Sequence, residues 1–308
     1  MQISDMFFVA PAVEEALSLA TCGDPFSVLG PHPTHNGTQL RVFVPGAEAV
    51  DVFAFASDAK LAELKQQRLH GLFVGLIPSN VRYRLQIRWP GGIQETEDPY
   101  EFGLLLGELD LHLLAEGRHF ELASCLGAQV MNIDGVNGVR FAVWAPNARR
   151  VSVVGDFNIW DGRRHLMRKR IDAGVWELFV PRLVAGARYQ YELLDSHGLL
   201  TLKTDPIARQ VEAPPSAVAI VADMQPFVWS DAAWLQRRTG LNYAQQPLSI
   251  YEMHATSWRR HLSEQSHPLS WDELALELIP YVCELGFTHI ELLPIMAHPF
   301  GGSWGYQP

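Results

Sequence analysis

The 308-residue sequence is poor in cysteine: Cys22, Cys125 and Cys283 are all it has. They lie far apart and match neither metal-ligand nor redox-pair spacing, which fits a reducing cytoplasm. The histidines include His32 and His35 in one turn but no His-x-x-x-His or His-Glu-x-x-His spacing, so no metal site is expected. No apolar run is long enough to span a bilayer, and no basic head precedes Phe7-Phe8-Val9; neither a membrane span nor a signal peptide is expected. Basic residues are the minority, 24 against 34 acidic, for a formal charge of −10. No long basic run interrupts them, so nucleic acid is a poor candidate partner. The dense basic patch of Arg163, Arg164, Arg168, Lys169 and Arg170 reads as a solvated face with interdomain ion pairs.

What is abundant is apolar: 48% of the residues are hydrophobic, enough to fill the cores of two or three domains. A short helix is expected at about 12–20, stopped by Gly23 and turned away by Asp24-Pro25. Short β-branched and aromatic segments then follow one another between turn residues: Leu40–Val44, Val50–Phe55, Gly71–Ile77 and Val81–Ile87. That spacing predicts a β-sandwich.

The sandwich pattern comes twice. Leu40-Arg-Val-Phe-Val-Pro45 returns as Val139-Arg-Phe-Ala-Val-Trp-Ala-Pro146, and Ala49-Val-Asp-Val52 returns as Arg150-Val-Ser-Val153. Gly71–Pro78 matches Gly174–Pro181, Val81-Arg-Tyr-Arg matches Ala187-Arg-Tyr-Gln, and each copy closes on Asp-Pro, at Asp98-Pro99 and Asp205-Pro206. Matches in the same order about a hundred residues apart indicate tandem domains, not solenoid repeats. In the second copy Trp144 lies in an alternating apolar strand and is expected in the core. The stretch from Gly103 to Glu116 is expected to form a short helical connection.

After Pro247 the pattern changes. Leu248–His254 reads as a buried strand, Trp271–Leu285 as a helix with Ser270 as N-cap and Glu273 three residues on, and Thr288–Leu293 as a second strand. Such strand–helix–strand units build parallel sheets and (β/α)8 barrels.

These residues resemble the α-amylase superfamily, and within it the bacterial glycogen branching enzymes. Asp24-Pro-Phe-Ser-Val-Leu-Gly30 is similar to the start of the family's first module, and Phe141–Arg164, with its Asp156-Phe-Asn-Ile-Trp160 turn, is similar to its starch-binding-type sandwich. Leu248–Arg260 and Gly286–Pro308 resemble its first two barrel strands and the loop beyond. The chain departs from the usual pattern at Gln129, Ile207, Ala255-Thr256 and Ala297.

The resemblance implies a mainly β chain: two tandem immunoglobulin-like β-sandwiches followed by the first β-α-β unit of an incomplete (β/α)8 barrel. The expected segments are an N-terminal helical stretch at 1–23, sandwiches at 24–105 and 117–225, a connector at 106–116, a linker at 226–247 and the barrel start at 248–308. The implied reaction moves an α-1,4-glucan segment to a 6-hydroxyl by double displacement. It needs two carboxylates roughly 5 Å apart, which the family takes from later barrel strands. A barrel takes about 250 residues and 61 follow Pro247, so no catalytic residue is expected here and the chain alone is expected to be inactive. Glu252 and Glu291 lie inside strands, not beyond their C-terminal ends, and read as structural.

By the same resemblance Tyr306 stacks on a glucose ring, with Trp304 and His298 shaping that wall; the alternative is that Trp304 and Tyr306 fill the barrel mouth. Trp160 either meets a glucan or packs on the catalytic domain. No cofactor is implied; the partner is α-1,4-glucan or glycogen, and a cytoplasmic monomer is expected. The competing readings are a non-catalytic α-glucan-binding protein and an isoamylase-type debranching enzyme.

Overall fold

The structure, a computed structural model, describes residues 9–213, 215–223, 227–261, 267–298 and 300–307. The start of the N-terminal stretch, Pro226 of the linker and Pro308 lie outside these. Two compact units are present: Met1–Glu212 with Val218–Met224, and Ala213–Ala217 with Gln225–Pro308.

The first unit opens with α1 (Pro11–Ser18). The first copy of the repeat holds β1 (Gly30–Thr34), β2 (Gly37–Phe43), β3 (Ala49–Ala54), β4 (Lys60–Gln66), β5 (Leu72–Ile77), β6 (Tyr83–Trp89) and β7 (Gly92–Thr96). They form one hydrogen-bonded path, β1-β2-β5-β4-β3-β6-β7. The path turns at β4, whose first part pairs with β3 and whose Lys65 and Gln66 pair with β5. Leu40, Val42 and Phe73 from one half share a core with Val50, Val52, Leu85 and Ile87 from the other.

Two helices connect the copies, α2 (Glu108–Ala115) and α3 (Leu122–Cys125). The second copy holds β8 (Gly127–Ile133), β9 (Val136–Trp144), β10 (Arg150–Gly155), β11 (Arg168–Arg170), β12 (Val175–Pro181), β13 (Arg188–Leu194), β14 (Leu200–Lys203), β15 (Gln210–Val211) and β16 (Ala219–Ile220). Here the strands make two sheets, β11-β12-β9-β8 and β10-β13-β16-β15, with β14 on β13.

The repeat is visible as register. Val42 faces Phe73 across β2 and β5, and Val143 faces Trp176 across β9 and β12, the same positions of the two copies. Gly71 and Gly174 both have φ above +60°, and a Cβ on either would come within 2.7 Å of Pro45 or Pro146 respectively. Only glycine fits that approach.

The copies are fused, not strung apart. Leu17 of α1 and Phe43, Leu72 and Val74 of the first copy join Val139, Phe141, Leu178 and Tyr189 of the second in one cluster. The connector lies on β9 and β12, where Leu106, Leu111 and Leu126 bury against Ala142 and Val175.

Two expectations are corrected here. Trp144 is not core: it is 58% exposed, whereas Phe43, its counterpart in the first copy, is 3% exposed. Phe43 is covered by the second copy; at Trp144 the connector's cover has ended. The basic patch makes an interdomain ion pair as expected, but its face is only partly solvated. Arg164 donates to the Pro45 carbonyl at 2.8 Å and stacks on Trp89. Arg168 donates to the Gly103 carbonyl and stacks on Phe26, and Arg170 reaches the Leu106 carbonyl at 3.1 Å and Glu108 at 2.8 Å. The patch ties the second copy to the first and to the connector.

In the second unit the stretch read as a linker contains α4 (Ala232–Thr239). Beyond it come β17 (Ile250–Met253), α5 (Trp271–Glu284) and β18 (His289–Leu292), with the two strands parallel. The Ser270 hydroxyl accepts from the Glu273 N–H at 3.3 Å while the Glu273 carboxylate accepts from the Ser270 N–H at 2.8 Å, the reciprocal cap expected of that spacing. Leu274, Leu278 and Val282 of α5 pack on Met253, with Tyr251 and Phe287 alongside. The strands are less buried than expected, with Ile250, Ile290 and Leu292 exposed, because within this unit one helix covers one face of the pair.

Candidate functional site

In the second unit the loop after β18 and the residues after β17 come together. His254, one residue past β17, lies edge to face with Trp304, ring centroids 5.8 Å apart, and its Nε2 is 3.2 Å from the Trp304 carbonyl. That carbonyl can only accept, so Nε2 carries the proton, and Nδ1 accepts from the Thr256 hydroxyl at 2.9 Å. Trp304 takes φ +56 after the turn Gly301–Ser303, and Gly305 follows at φ +87. His298 is half-buried, with Nδ1 3.0 Å from the Met296 carbonyl.

A pocket of about 400 Å³ lies among these groups, lined by His254, Thr256, Arg260, Met296, His298 and Trp304, among others. Of the residues expected to form the sugar wall, Trp304 and His298 meet at this pocket. Tyr306 is not part of its lining. Trp304 and Tyr306 are 63% and 61% exposed, so in this chain neither fills a core. Glu252 and Glu291 sit inside β17 and β18, opposite one another in register and exposed. Sequence reasoning missed His254. The rule that sites lie beyond the C-terminal ends of parallel strands, applied to the first strand as well as the second, would have found it.

The turn bearing Trp160 is built on the second copy. Asn158 is buried, donates to the Val153 carbonyl and accepts from the Gly155 N–H, both at 2.9 Å. Ile159 and Trp160 then take successive positive φ values of +58 and +59. The Trp160 indole N–H donates to Asp156 Oδ1 at 3.0 Å, and Arg188 grips both oxygens of that carboxylate. The hydrogen bonds from Arg188 and then Trp160 hold the Asp156 carboxyl down at about 2. Trp160 is half-buried, one edge tied and part of the ring open. The departures from the family pattern are accommodated locally: Gln129 donates to the Ala123 and Leu126 carbonyls, and the Ile207 N–H donates to Asp205.

Comparison with known proteins defines the class first. Residues 125–208 match Carbohydrate-binding module 48 (Isoamylase N-terminal domain), and residues 11–100 match the N-terminal domain of alpha-1,4-glucan branching enzyme GlgB. Both copies of the repeat are thus modules of carbohydrate-active enzymes. The chain is 56% identical over 287 residues to 1,4-alpha-glucan branching enzyme GlgB 2 of Rhizobium johnstonii, covering 93% of this chain and 39% of that protein. It is 54% identical over 316 residues to the GlgB of Ralstonia nicotianae (96% and 41%) and 55% identical over 296 residues to that of Pseudomonas syringae (95% and 40%). Over nearly its whole length the chain is similar to the N-terminal part of bacterial 1,4-alpha-glucan branching enzymes, and it spans about two fifths of the length of the curated relatives it matches. Among solved structures, a putative alpha amylase from Salmonella typhimurium matches with TM-score 0.42 and 25% identity, over 59% of this chain and 26% of that one.

Proposed function

We propose that the whole protein transfers segments of α-1,4-glucan to 6-hydroxyl groups, building α-1,6 branches in glycogen. The observation that carries this is identity of 54–57% to named branching enzymes across 93–97% of the chain. We read residues 24–105 and 117–225 as tandem immunoglobulin-like sandwiches, residues 1–23 and 106–116 as the segments that fasten them, 226–247 as a linker and 248–308 as the first β-α-β unit of a (β/α)8 barrel. The parallel pair with its crossover helix supports the last reading.

In this reading Tyr306, Trp304 and His298 form a wall against the glucose ring at the scissile bond, since aromatic faces take the axial C–H groups of a sugar. Trp160 offers the open part of its ring to a glucan chain. The two carboxylates that exchange the glycosidic bond belong to other barrel strands, so residues 1–308 bind and position glucan without cleaving it. The protein acts as a cytoplasmic monomer on glucan, without nucleic acid or membrane. Its acidic charge argues against a nucleic-acid partner, and no helix among the described residues is long and apolar enough to cross a membrane.

The test is incubation with amylose, following the iodine complex and new α-1,6 linkages. The complete protein is expected to lower the iodine absorbance and form branches, and the 308-residue chain to do neither. Branches made by the short chain would overturn the division of labour; none from the complete protein would overturn the function.

A further inference from the structure

Trp144 is anomalous for its position. Its neighbours in β9, Ala142 and Val143, are buried, and so is Val175, its partner across β12. The indole itself is 58% exposed at a place where the first copy of the repeat buries a phenylalanine. Two pockets border it. One, of about 360 Å³, is floored by Leu114, Leu122, Leu126 and Ile207 and includes His119. The other, of about 500 Å³, runs past Pro146 to Lys169 and Asp172. Trp144 and Leu114 border both. Each volume falls in the range of small-molecule sites.

The polar groups are few and held in place. His119 is pinned by Asp110, with 3.0 Å between Nε2 and Oδ1, and the Lys169 ammonium donates to the Pro146 carbonyl at 2.8 Å. Lys169 and Asp172 both line the second pocket, so its rim carries one basic and one acidic side chain and offers no net charge for an anion. An apolar floor, an open aromatic face and a charge-balanced rim suit a neutral polyol with one apolar side. A ligand that uses both pockets must pass Trp144 and Leu114, which are common to the two linings, and this calls for a chain of rings.

We propose that Trp144 is the platform of a second α-glucan site on the carbohydrate-binding module, with a glucosyl unit of one chain in each of the two pockets that border the indole. It lies on the sheet β11-β12-β9-β8, whereas the Trp160 turn follows β10 of the other sheet. The inference rests on the branching-enzyme reading and goes beyond it in assigning a site.

The test uses the complete protein labelled with 5-fluorotryptophan, with maltoheptaose as the probe. The resonance absent from Trp144→Phe identifies Trp144, and it is expected to shift on titration. In glycogen-containing gels Trp144→Ala is expected to weaken retention on the order of tenfold with its melting temperature unchanged, and Trp144→Phe to restore most of it. A Trp144 resonance unmoved at saturating maltoheptaose overturns the proposal, whether the ring is idle or packed beneath another part of the protein. If Trp144→Ala fails to fold, the titration of the wild-type protein decides. Retention lost in Trp160→Ala alone sinks this site and leaves the branching-enzyme reading standing, whereas a wild-type protein that neither is retained nor shifts any tryptophan resonance sinks both.

Discussion

Tyr189 donates its hydroxyl to Asp205 Oδ2 at 2.7 Å inside the second copy of the repeat, and Tyr83 does the same to Asp98 Oδ2 at 3.0 Å inside the first. In each case the other carboxylate oxygen accepts a backbone N–H two residues on, from Ile207 and Tyr100. The pair is how each copy closes: the Asp-Pro turn is fastened to the strand that bears the tyrosine. Removing a donor from a buried carboxylate costs about 1–3 kcal/mol. Tyr83→Phe and Tyr189→Phe are both expected to destabilise within that range in urea unfolding. Tyr189→Phe should be the milder, since Tyr191 also reaches Asp205, at 3.3 Å.

Burial pushes the Asp98 carboxyl up to about 6, against the pull of the Tyr100 N–H and the Tyr83 hydroxyl. Unfolded, it ionises near pH ~4. Between those values the folded chain keeps a proton that the unfolded chain has lost, so its contribution to stability falls as pH rises from about 4 to about 6. The fall amounts to roughly 3 kcal/mol. Glu101, raised to about 7 by burial and the Asp98 charge, acts in the same direction. His165, held down at about 3 by burial and by Arg164, acts oppositely, costing stability as pH drops below ~6.5. Asp98→Asn isolates the first effect: its urea midpoint, relative to wild type, is expected to improve from pH 4 to pH 7. A constant difference would refute the assignment.

Glu177 is fully buried, accepts the Leu105 and Leu106 N–H groups at 3.1 and 2.9 Å, and meets Arg168 at 3.3 Å and Arg170 at 3.5 Å. Glu177→Ala leaves two cations and two amides facing a void and is expected to cost about 3–5 kcal/mol. Hydrogen exchange at Leu105 and Leu106 should accelerate before that of β9 and β12 if the carboxylate pins the connector.

The second unit exposes Leu248, Leu276, Ile279 and Leu292 around one helix and two strands. Apolar faces and open strand edges of this kind are liabilities. Limited proteolysis of the 308-residue chain is expected to cut from Leu248 onward first and to leave a core containing both copies of the repeat. Early cleavage within β2 to β13 would count against it.

For the aromatic loop, ring and hydroxyl can be separated at Tyr306. In the complete protein Tyr306→Ala is expected to lower kcat/KM on amylose roughly tenfold or more, and Tyr306→Phe to keep most of it if the ring face is what matters. Equal losses in both variants would shift the role to the hydroxyl.

Much of this protein was legible in its sequence. Strand period, the N-cap at Ser270 and the duplicated motifs are local signals, and β2, β5, β9, β12 and α5 appear where those signals put them. β4 and β8 were not legible, because neither carries a run of alternating apolar residues. For the candidate site the family resemblance singled out Trp304, His298 and Tyr306, of which the first two line the pocket. That His254 would meet Trp304 depends on how β17 and β18 lie side by side.

By itself, then, the sequence determined the element types, the repeat and the resemblance to branching enzymes, because hydrophobic period, turn chemistry and motif are properties of neighbouring residues. Only the tertiary structure decided which faces are covered. It fused the two copies through Phe43, Leu72 and Val74, turned an apparent basic face into the fastening of the connector, and left Trp144 open where its counterpart is buried. Burial is a property of what lies across from a side chain, and alternation along a strand carries no record of that.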